Sequence, residues 1–445
     1  MDPIDGPCDD PAMKVSHACS NAPEEPLLTG DASVNEEDQQ PAFSSALCNQ
    51  LKSVFGTGLL AMPWAVMQVG APLALLLMAV VGFAAVYTMQ LLAWSADLRG
   101  LHGEQKAATL TYAELVREAF GVMGGRLNAA NLVLHQLAVC AAYLVFIGDN
   151  VQGALRLHSS TTVILALTPP FVLLCWLRDM RRLLATSAAG TAMLGIALAL
   201  VLADASRQPH AIVLANASTQ PHGTRAHGLF ALRAVQPSQM AAFLGIAIFT
   251  FAGHSETLSV VQSLGSQRAR YVEISLTIAL VGVPLIAAFS LAAYAGYGDA
   301  TQKNILLNAH SRLASLVKLL LSAVAFFSLP LKMFPANQLI ESLFIPSDTE
   351  SIASRRAVRT CLSLLSVALA LLLPDFEFLV ALIGAFCMGI IAFTVPPFMY
   401  CSLGRTVLSP LSLAAHAALG LVGVAITLGA TYMVVDCWLT PGCER

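Results

Sequence analysis

The chain has 445 residues, of which 56% are hydrophobic and only 11% are charged, and its mean hydropathy is +0.70. A soluble protein of this size carries about 25% charged residues. The composition therefore excludes a soluble globular protein and indicates a chain with many membrane-spanning segments. The net charge of -3 and the lack of a basic arm in the sequence argue against a nucleic-acid partner. The ten cysteines show no CxxC or Cys/His spacing, so we predict no metal site.

Apolar runs of membrane length follow one another along most of the chain. About 20 apolar residues cross a bilayer as a helix. By this rule the sequence predicts an all-α polytopic membrane protein with eleven transmembrane helices, at 43–66, 71–96, 127–148, 159–177, 183–203, 239–263, 274–298, 313–340, 358–374, 377–403 and 411–435. Prolines are expected to kink or end several of these spans, namely Pro169, Pro170, Pro284, Pro330, Pro335, Pro396 and Pro397.

The segments outside the spans predict the orientation. Residues 1–42 are polar and acidic and are expected to form a disordered cytosolic tail, whereas 43–435 form the transmembrane domain and 436–445 a short extracytoplasmic tail. Basic residues concentrate in the loops on the N-terminal side, which places the N-terminus in the cytosol. The glycosylation sequon at Asn216 then falls outside, as such a site requires. Cys437 and Cys443 could form a disulfide in the outer tail. We expect a monomer in the plasma membrane or in an endolysosomal or vacuolar membrane.

Two of the apolar spans are interrupted by glycine-containing breaks. The first glycine-interrupted segment is Phe55–Pro63 in span one, and the second is Ala252–Glu256 in span six. Broken segments at corresponding places in two halves are typical of secondary transporters with inverted repeats. Backbone groups freed at membrane depth are tolerated only where they line a cavity. The sequence therefore predicts two inverted five-helix repeats plus one helix, with a binding site at the breaks.

The breaks suit a zwitterionic ligand. Glycine allows the first break to unwind, and the N-terminus of the following half-helix attracts a carboxylate. Freed carbonyl groups of span six could accept hydrogen bonds from an ammonium group. We predict that the substrate is bound by Gly56, Thr57, Gly58, Leu59, Tyr143, Phe249, Thr250 and Phe251, with Phe251 also walling the side-chain pocket. The alternatives are close helix packing through small residues at the first break and aromatic rings that simply face neighbouring helices.

Ionisable residues inside spans are costly, at about 2.5–3.5 kcal/mol each on insertion scales. His254 and Glu256 lie inside span six, and we predict that they couple transport to an ion by carrying a proton. The alternative is a fixed hydrogen bond between the two that holds the broken helix. Lys332 and Glu341 are expected to snorkel from the end of span eight, and Asp375 is expected to be solvated at the outer boundary.

Four stretches in the right order carry a family resemblance. Asn49–Ala65 resembles the first helix of the amino acid/auxin permease family, close to the pattern LLKxxxGTGLLxLPxA of its proton-coupled amino acid transporter branch. Tyr143–Asn150 resembles the end of that branch's third helix, and Leu331–Ala336 resembles the PLxxYPA of its eighth. Pro374–Pro397 resembles the ninth and tenth helices. The resemblance covers roughly residues 43–435. It implies a leucine-transporter-like fold and proton-coupled symport of small neutral amino acids, with no catalytic residue and no cofactor beyond the coupling ion.

One stretch departs from that branch and keeps alternatives open. Phe249–Leu258 resembles the FxFxxHxEvLP of the sodium-coupled neutral amino acid transporters. Sodium symport is therefore the alternative, with carbonyl groups near Phe55 and hydroxyls such as Ser328 as Na⁺ ligands. A non-transporting amino acid sensor would keep the same cavity. A membrane enzyme is disfavoured because the sequence shows no catalytic constellation.

Overall fold

The computed structural model describes residues 36–100, 111–177, 181–208, 237–345 and 352–440, and the regular structure in these ranges is helical. The α-helices are α1 Glu36–Val54, α2 Met62–Val69, α3 Ala71–Gly100, α4 Tyr112–Leu155, α5 Ser160–Cys175, α6 Arg181–Ala205, α7 Pro237–Phe251, α8 His254–Ser263, α9 Tyr271–Thr277, α10 Val283–Tyr297, α11 Arg312–Phe344, α12 Ile352–Leu372, α13 Phe376–Leu382, α14 Val395–Leu403 and α15 Pro410–Leu439. Shorter segments join or interrupt them, with 3-10 turns at Thr57–Leu60, Gly265–Arg270, Gly298–Ala300 and Ile305–Asn308 and π-helical segments at Ile278–Gly282 and Ile383–Thr394.

The helices are those of a multi-pass membrane protein. Within the described ranges, seven are long and apolar enough to cross a membrane, at Ala71–Leu98, Tyr112–Leu155, Gln239–Ser263, Gln267–Ala300, Arg312–Phe344, Phe376–Leu403 and Pro410–Leu439. Two shorter apolar helices lie at Ser160–Cys175 and Ala192–Ala205. Each predicted span coincides with helical structure. The count of eleven spans stays a prediction, because these nine helices include neither the first span, which is broken in the middle, nor the ninth, which lies in Ile352–Leu372.

The ends of the chain differ in part from the prediction. α1 begins at Glu36 rather than near residue 43, so the last part of the tail expected to be disordered is helical. The rest of that tail, the sequon at Asn216 and Cys443 lie outside the described residues. Cys437 is disulfide-bonded. In α4 the helix turns at Gly121, where a φ of 70° favours glycine, and the predicted third span follows this kink.

Prolines break the helices in some places and not in others. Pro284 and Pro396 lie in the first turns of α10 and α14, and a π-helical segment precedes each of these helices. A proline ring displaces the carbonyl of the preceding turn and offers no N–H, and π-helical turns absorb such a mismatch. In contrast, α11 continues through Pro330 and Pro335. The α-helix is thus interrupted before the first two prolines, and a kink at Pro330 or Pro335 within the continuous α11 stays a prediction.

A backbone contact joins α7 to the tenth predicted span. A Cβ atom added at Gly245 would overlap the carbonyl oxygen of Ala381, and one added at Gly384 would overlap the carbonyl oxygen of Gly245. Small residues permit such close approach in membranes, where packing rather than the hydrophobic effect drives helix association. The crossing holds α7 in place, and the C-terminal end of α7 forms one side of the second break.

The Gly245→Ala substitution is expected to destabilise the fold by about 1–3 kcal/mol, because the obstructing atom belongs to the backbone of α13 and cannot rotate away. Thermal unfolding of the purified protein in detergent measures this as a lower midpoint. Gly195→Ala on α6 is the matched control, since its added Cβ meets no atom within 4 Å and alanine favours a helix over glycine. Equal unfolding midpoints for the two variants would contradict the close backbone contact between α7 and α13.

Candidate functional site

The first predicted span is unwound at its glycines. α1 ends at Val54, and Gly56 has an extended conformation with φ -99° and ψ -170°. The Gly56 N–H donates to the Val54 carbonyl at 3.0 Å, which is a turn bond rather than a helical one. The 3-10 turn Thr57–Leu60 follows, and α-helical geometry returns only at Met62. The break therefore lies where the sequence predicts it.

The second break lies between α7 and α8. The helix ends at Phe251 and restarts at His254, and the Gly253 N–H donates to the Phe251 carbonyl at 3.1 Å. The Gly253 carbonyl, freed by the break, accepts a hydrogen bond from Nε2 of Gln50 at 3.2 Å and from Oγ1 of Thr257 at 3.1 Å. Gln50 is fully buried. A side chain of α1 thus donates a hydrogen bond to the backbone at the break between α7 and α8.

The two breaks contact each other beside a cavity of about 700 Å³. A Cβ atom added at Gly58 would lie 2.6 Å from Oγ1 of Thr250 and 2.7 Å from Cδ1 of Phe249. Ligand pockets in proteins commonly occupy about 300–1,000 Å³, so the cavity has the size of a small-molecule site. The predicted site residues that line it are Gly56, Thr57, Gly58, Tyr143, Phe249, Thr250 and Glu256.

Two of the predicted substrate-binding residues lie away from the cavity. Leu59 and Phe251 are each 1% exposed and belong to the hydrophobic core. Phe249 lines the cavity instead. Positions two apart on an α-helix point about 200° apart, so Phe249 and Phe251 face opposite sides of α7. The prediction that the Phe251 ring walls the cavity is therefore wrong.

The two predicted ion-coupling residues are separated. His254 is fully buried, and its Nε2 lies 2.9 Å from Oγ1 of Thr88 on α3. Its Nδ1 has no hydrogen-bond partner among the described residues. The alternative of a His254–Glu256 hydrogen bond is therefore wrong, since α8 turns the two side chains in different directions. Glu256 lines the cavity, and His254 faces the packed core beside Phe393.

Three polar residues that line the cavity were not predicted as site residues. Lys332 lines the cavity and interacts electrostatically with Glu256. The snorkelling predicted for it is wrong because it lies about 18 Å from the end of α11. His135 and Gln136 on α4 also line the cavity, and neither Nδ1 of His135 nor Oε1 of Gln136 has a partner in the described part of the chain. Their polarity inside an apolar span was the available signal.

Glu341, the other residue expected to snorkel, is 5% exposed. Its carboxylate accepts a hydrogen bond from Nε of Arg359 at 2.6 Å and another from Arg355 at 3.1 Å. Arg359 also donates to the carbonyl groups of Cys175 and Leu177. A buried charge needs such partners, and α12 supplies them. The resulting network joins the C-terminal ends of α5 and α11 to α12.

A second ion-pair cluster lies at the opposite end of the bundle. Nζ of Lys303 is 2.7 Å from Asp375 and 2.8 Å from Glu377, and it lies 5.8 Å from the ring centre of Trp64. Asp375 is therefore paired rather than simply solvated. Burial lowers the pKa of Lys303, but the two carboxylates outweigh it and leave the pKa raised. None of these four residues lines the cavity, which extends from the breaks toward Ser263, so the cluster covers the other end.

A bundle of apolar helices, with two of them broken around one polar cavity, defines a membrane carrier rather than an enzyme. Residues 41–436 match the family described as "Transmembrane amino acid transporter protein", and the chain belongs to this family. The predicted family resemblance is thereby confirmed. Because the relatives are amino acid transporters, the prediction that the chain is not an enzyme is confirmed as well.

Individual relatives are distant but cover most of the chain. "Amino acid transporter ANT1" of Arabidopsis thaliana is 27% identical over 392 residues, which are 83% of this chain and 87% of the relative. "Putative sodium-coupled neutral amino acid transporter 11" of Bos taurus is 23% identical over 377 residues, 81% of this chain and 76% of the relative. A solved structure of a Na⁺-coupled sialic acid symporter is 12% identical with a TM-score of 0.43, covering 92% of this chain and 98% of the other.

The Lys303→Met substitution is expected to lower the thermal midpoint by the equivalent of about 1.5–3 kcal/mol, because Glu377 is left buried without its cation. Neutralising the acids as well, in Lys303→Met/Asp375→Asn/Glu377→Gln, should recover most of the loss. Glu273→Gln is the matched control, since its pair with Arg270 is exposed and exposed pairs contribute little to stability. A triple variant as unstable as the single one would show that the charges are not the cause.

Proposed function

We propose that the protein is a secondary active transporter that moves small neutral amino acids together with a proton by alternating access. The proposed architecture is a leucine-transporter-like bundle of two inverted five-helix repeats plus one helix. The contact of the two breaks beside one cavity is the observation that carries this proposal. Irregular backbone at membrane depth is typical of transporter sites, and here it comes from one span in each half.

The cavity offers complementary groups for each part of an amino acid. The substrate carboxylate would lie at Gly56–Gly58, at the start of the half-helix that continues into α2. The ammonium group would bind carbonyl groups of Phe249 and Thr250. The remaining walls are largely apolar and are built by Val139, Phe146, Leu194, Leu321, Val324 and Ala325. Such walls suit a small uncharged side chain.

Glu256 is the proposed proton carrier, because it lines the cavity and His254 does not. The ionisable groups that line the cavity with it are Lys52 of α1, His135 and Tyr143 of α4 and Lys332 of α11. Protonation of Glu256 changes the net charge of the cavity by one. Substrate and proton together can therefore favour a state that neither favours alone.

The alternatives share the same cavity. Phe55 and Ser328, the predicted Na⁺ ligands, both line it, and the printed name of one relative includes sodium coupling. A non-transporting sensor would also retain the cavity. We further propose a cytosolic N-terminus, a monomer, and a plasma, endolysosomal or vacuolar membrane location.

Uptake of radiolabelled alanine into proteoliposomes tests the function and its coupling ion. An inward proton gradient without Na⁺ is expected to raise the initial rate several-fold over the rate without a gradient, and an inward Na⁺ gradient at constant pH is expected to have little effect. Counterflow of labelled alanine separates a carrier from a sensor. Dependence on Na⁺ with no response to pH would reject proton coupling, and the absence of counterflow for a panel of amino acids would reject transport.

The Gly58→Ala substitution is expected to reduce alanine transport by at least about 10-fold, because the added Cβ would press on Thr250 and Phe249 and push the two breaks apart. Gly429→Ala on α15 is the matched control, since its added Cβ meets no atom within 4 Å. Both variants are compared at equal amounts of reconstituted protein. Unaltered transport by Gly58→Ala would show that the substrate does not bind at the first break.

A further inference from the structure

Lysine side chains place positive charge in the cavity. Lys52 and Lys332 both line it, whereas Glu256 is the acidic residue among the lining groups of the described chain. Lys332 lies well inside α11 and interacts electrostatically with Glu256 and Tyr143. The helix end is about 18 Å away, so the ammonium group cannot reach it. It must be accommodated beside the substrate site.

The position of Lys332 bears on sodium binding. Ser328 precedes it on α11 by about one helical turn and lines the same cavity. Ser328 is also the hydroxyl that a coupling Na⁺ would use, together with a carbonyl near Phe55. Side chains separated by one turn have Cβ atoms about 5–6 Å apart. If an ammonium group and a Na⁺ at Ser328 were separated by this distance, their repulsion at an effective dielectric constant of about 20 would weaken binding by roughly 100-fold.

We propose that Lys332 determines the coupling ion, because its ammonium group supplies the positive charge that a Na⁺ would otherwise bring to the cavity. This inference rests on the proposed function and deepens it. Glu256, which lines the same cavity and interacts electrostatically with Lys332, provides the counter-charge that a cation at this depth requires. A carrier with this fixed cation binds its amino acid without Na⁺ and is left with the proton as coupling ion.

The test compares wild type, Lys332→Met and Lys332→Arg in two measurements. The first is alanine uptake into proteoliposomes with NaCl or choline chloride at equal ionic strength. The second is thermal unfolding in detergent with the same salts, which detects ion binding through stabilisation of the folded state. In Lys332→Met, Na⁺ is expected to stabilise the protein specifically, at concentrations roughly 100-fold below those needed for wild type. Wild type and Lys332→Arg should show no difference between the salts.

Controls separate the site from general charge effects. Arg312→Met removes an exposed cation from the same helix and should create no response to Na⁺. Adding Ser328→Ala to Lys332→Met should abolish the acquired response. Saturable Na⁺ dependence of wild type in either measurement overturns the proposal. A Lys332→Met protein whose uptake and unfolding do not respond to Na⁺ also overturns it. If Lys332→Met does not fold, the wild-type and Lys332→Arg titrations still decide. Wild type that transports no amino acid refutes the proposed function, while the unfolding measurement still tests the role of Lys332.

Discussion

Contact between the two helix breaks is the constraint on which the rest of the structure depends. Gly58 lies against Thr250 and Phe249 so closely that a single methyl group would not fit. Each break frees backbone groups at a depth where no lipid can bind them, and each unsatisfied group costs several kcal/mol. The breaks can therefore exist only if protein groups or a cavity accept those bonds. Gln50 of the first broken span donates to the Gly253 carbonyl of the second, so one span supplies a hydrogen bond to the backbone of the other.

The two ends of the bundle are held by different interactions. Lys303, Asp375 and Glu377 join one end through short charged contacts. On the cavity side of the breaks, Gln50 and Thr257 form neutral hydrogen bonds that tie α1 to α8. Charged hydrogen bonds contribute roughly twice as much as neutral ones. The cavity extends from the breaks toward Ser263, on the side of these neutral bonds, and farther from the breaks Glu341 adds charged bonds to Arg355 and Arg359.

The sequence was sufficient for features that have a local cause. Gly56, Gly58 and Gly253 predicted the two breaks, and the length of each apolar run predicted where a helix lies. Both signals are contained within the segment that they describe. What could not be predicted were partners from distant segments. Nothing near Glu341 in the sequence shows that Arg359 meets it, and the pairing depends on how α12 packs against α11. Lys332 was misjudged for a related reason: its depth depends on how far α11 continues through two prolines.

These contacts hold the two sides of the cavity by different kinds of bond. α11 is anchored through Glu341 to Arg359, which also binds the end of α5, so the wall carrying Lys332 is held by buried charged bonds. The facing wall is formed by the breaks and α8, whose ties to α1 are neutral. Glu256 lies on this wall and interacts electrostatically with Lys332 on the other one. An ionised Glu256 is attracted across the cavity, and a protonated one is not. In the proposed proton-coupled alternating access, proton binding would thus act on the electrostatic attraction between the two walls.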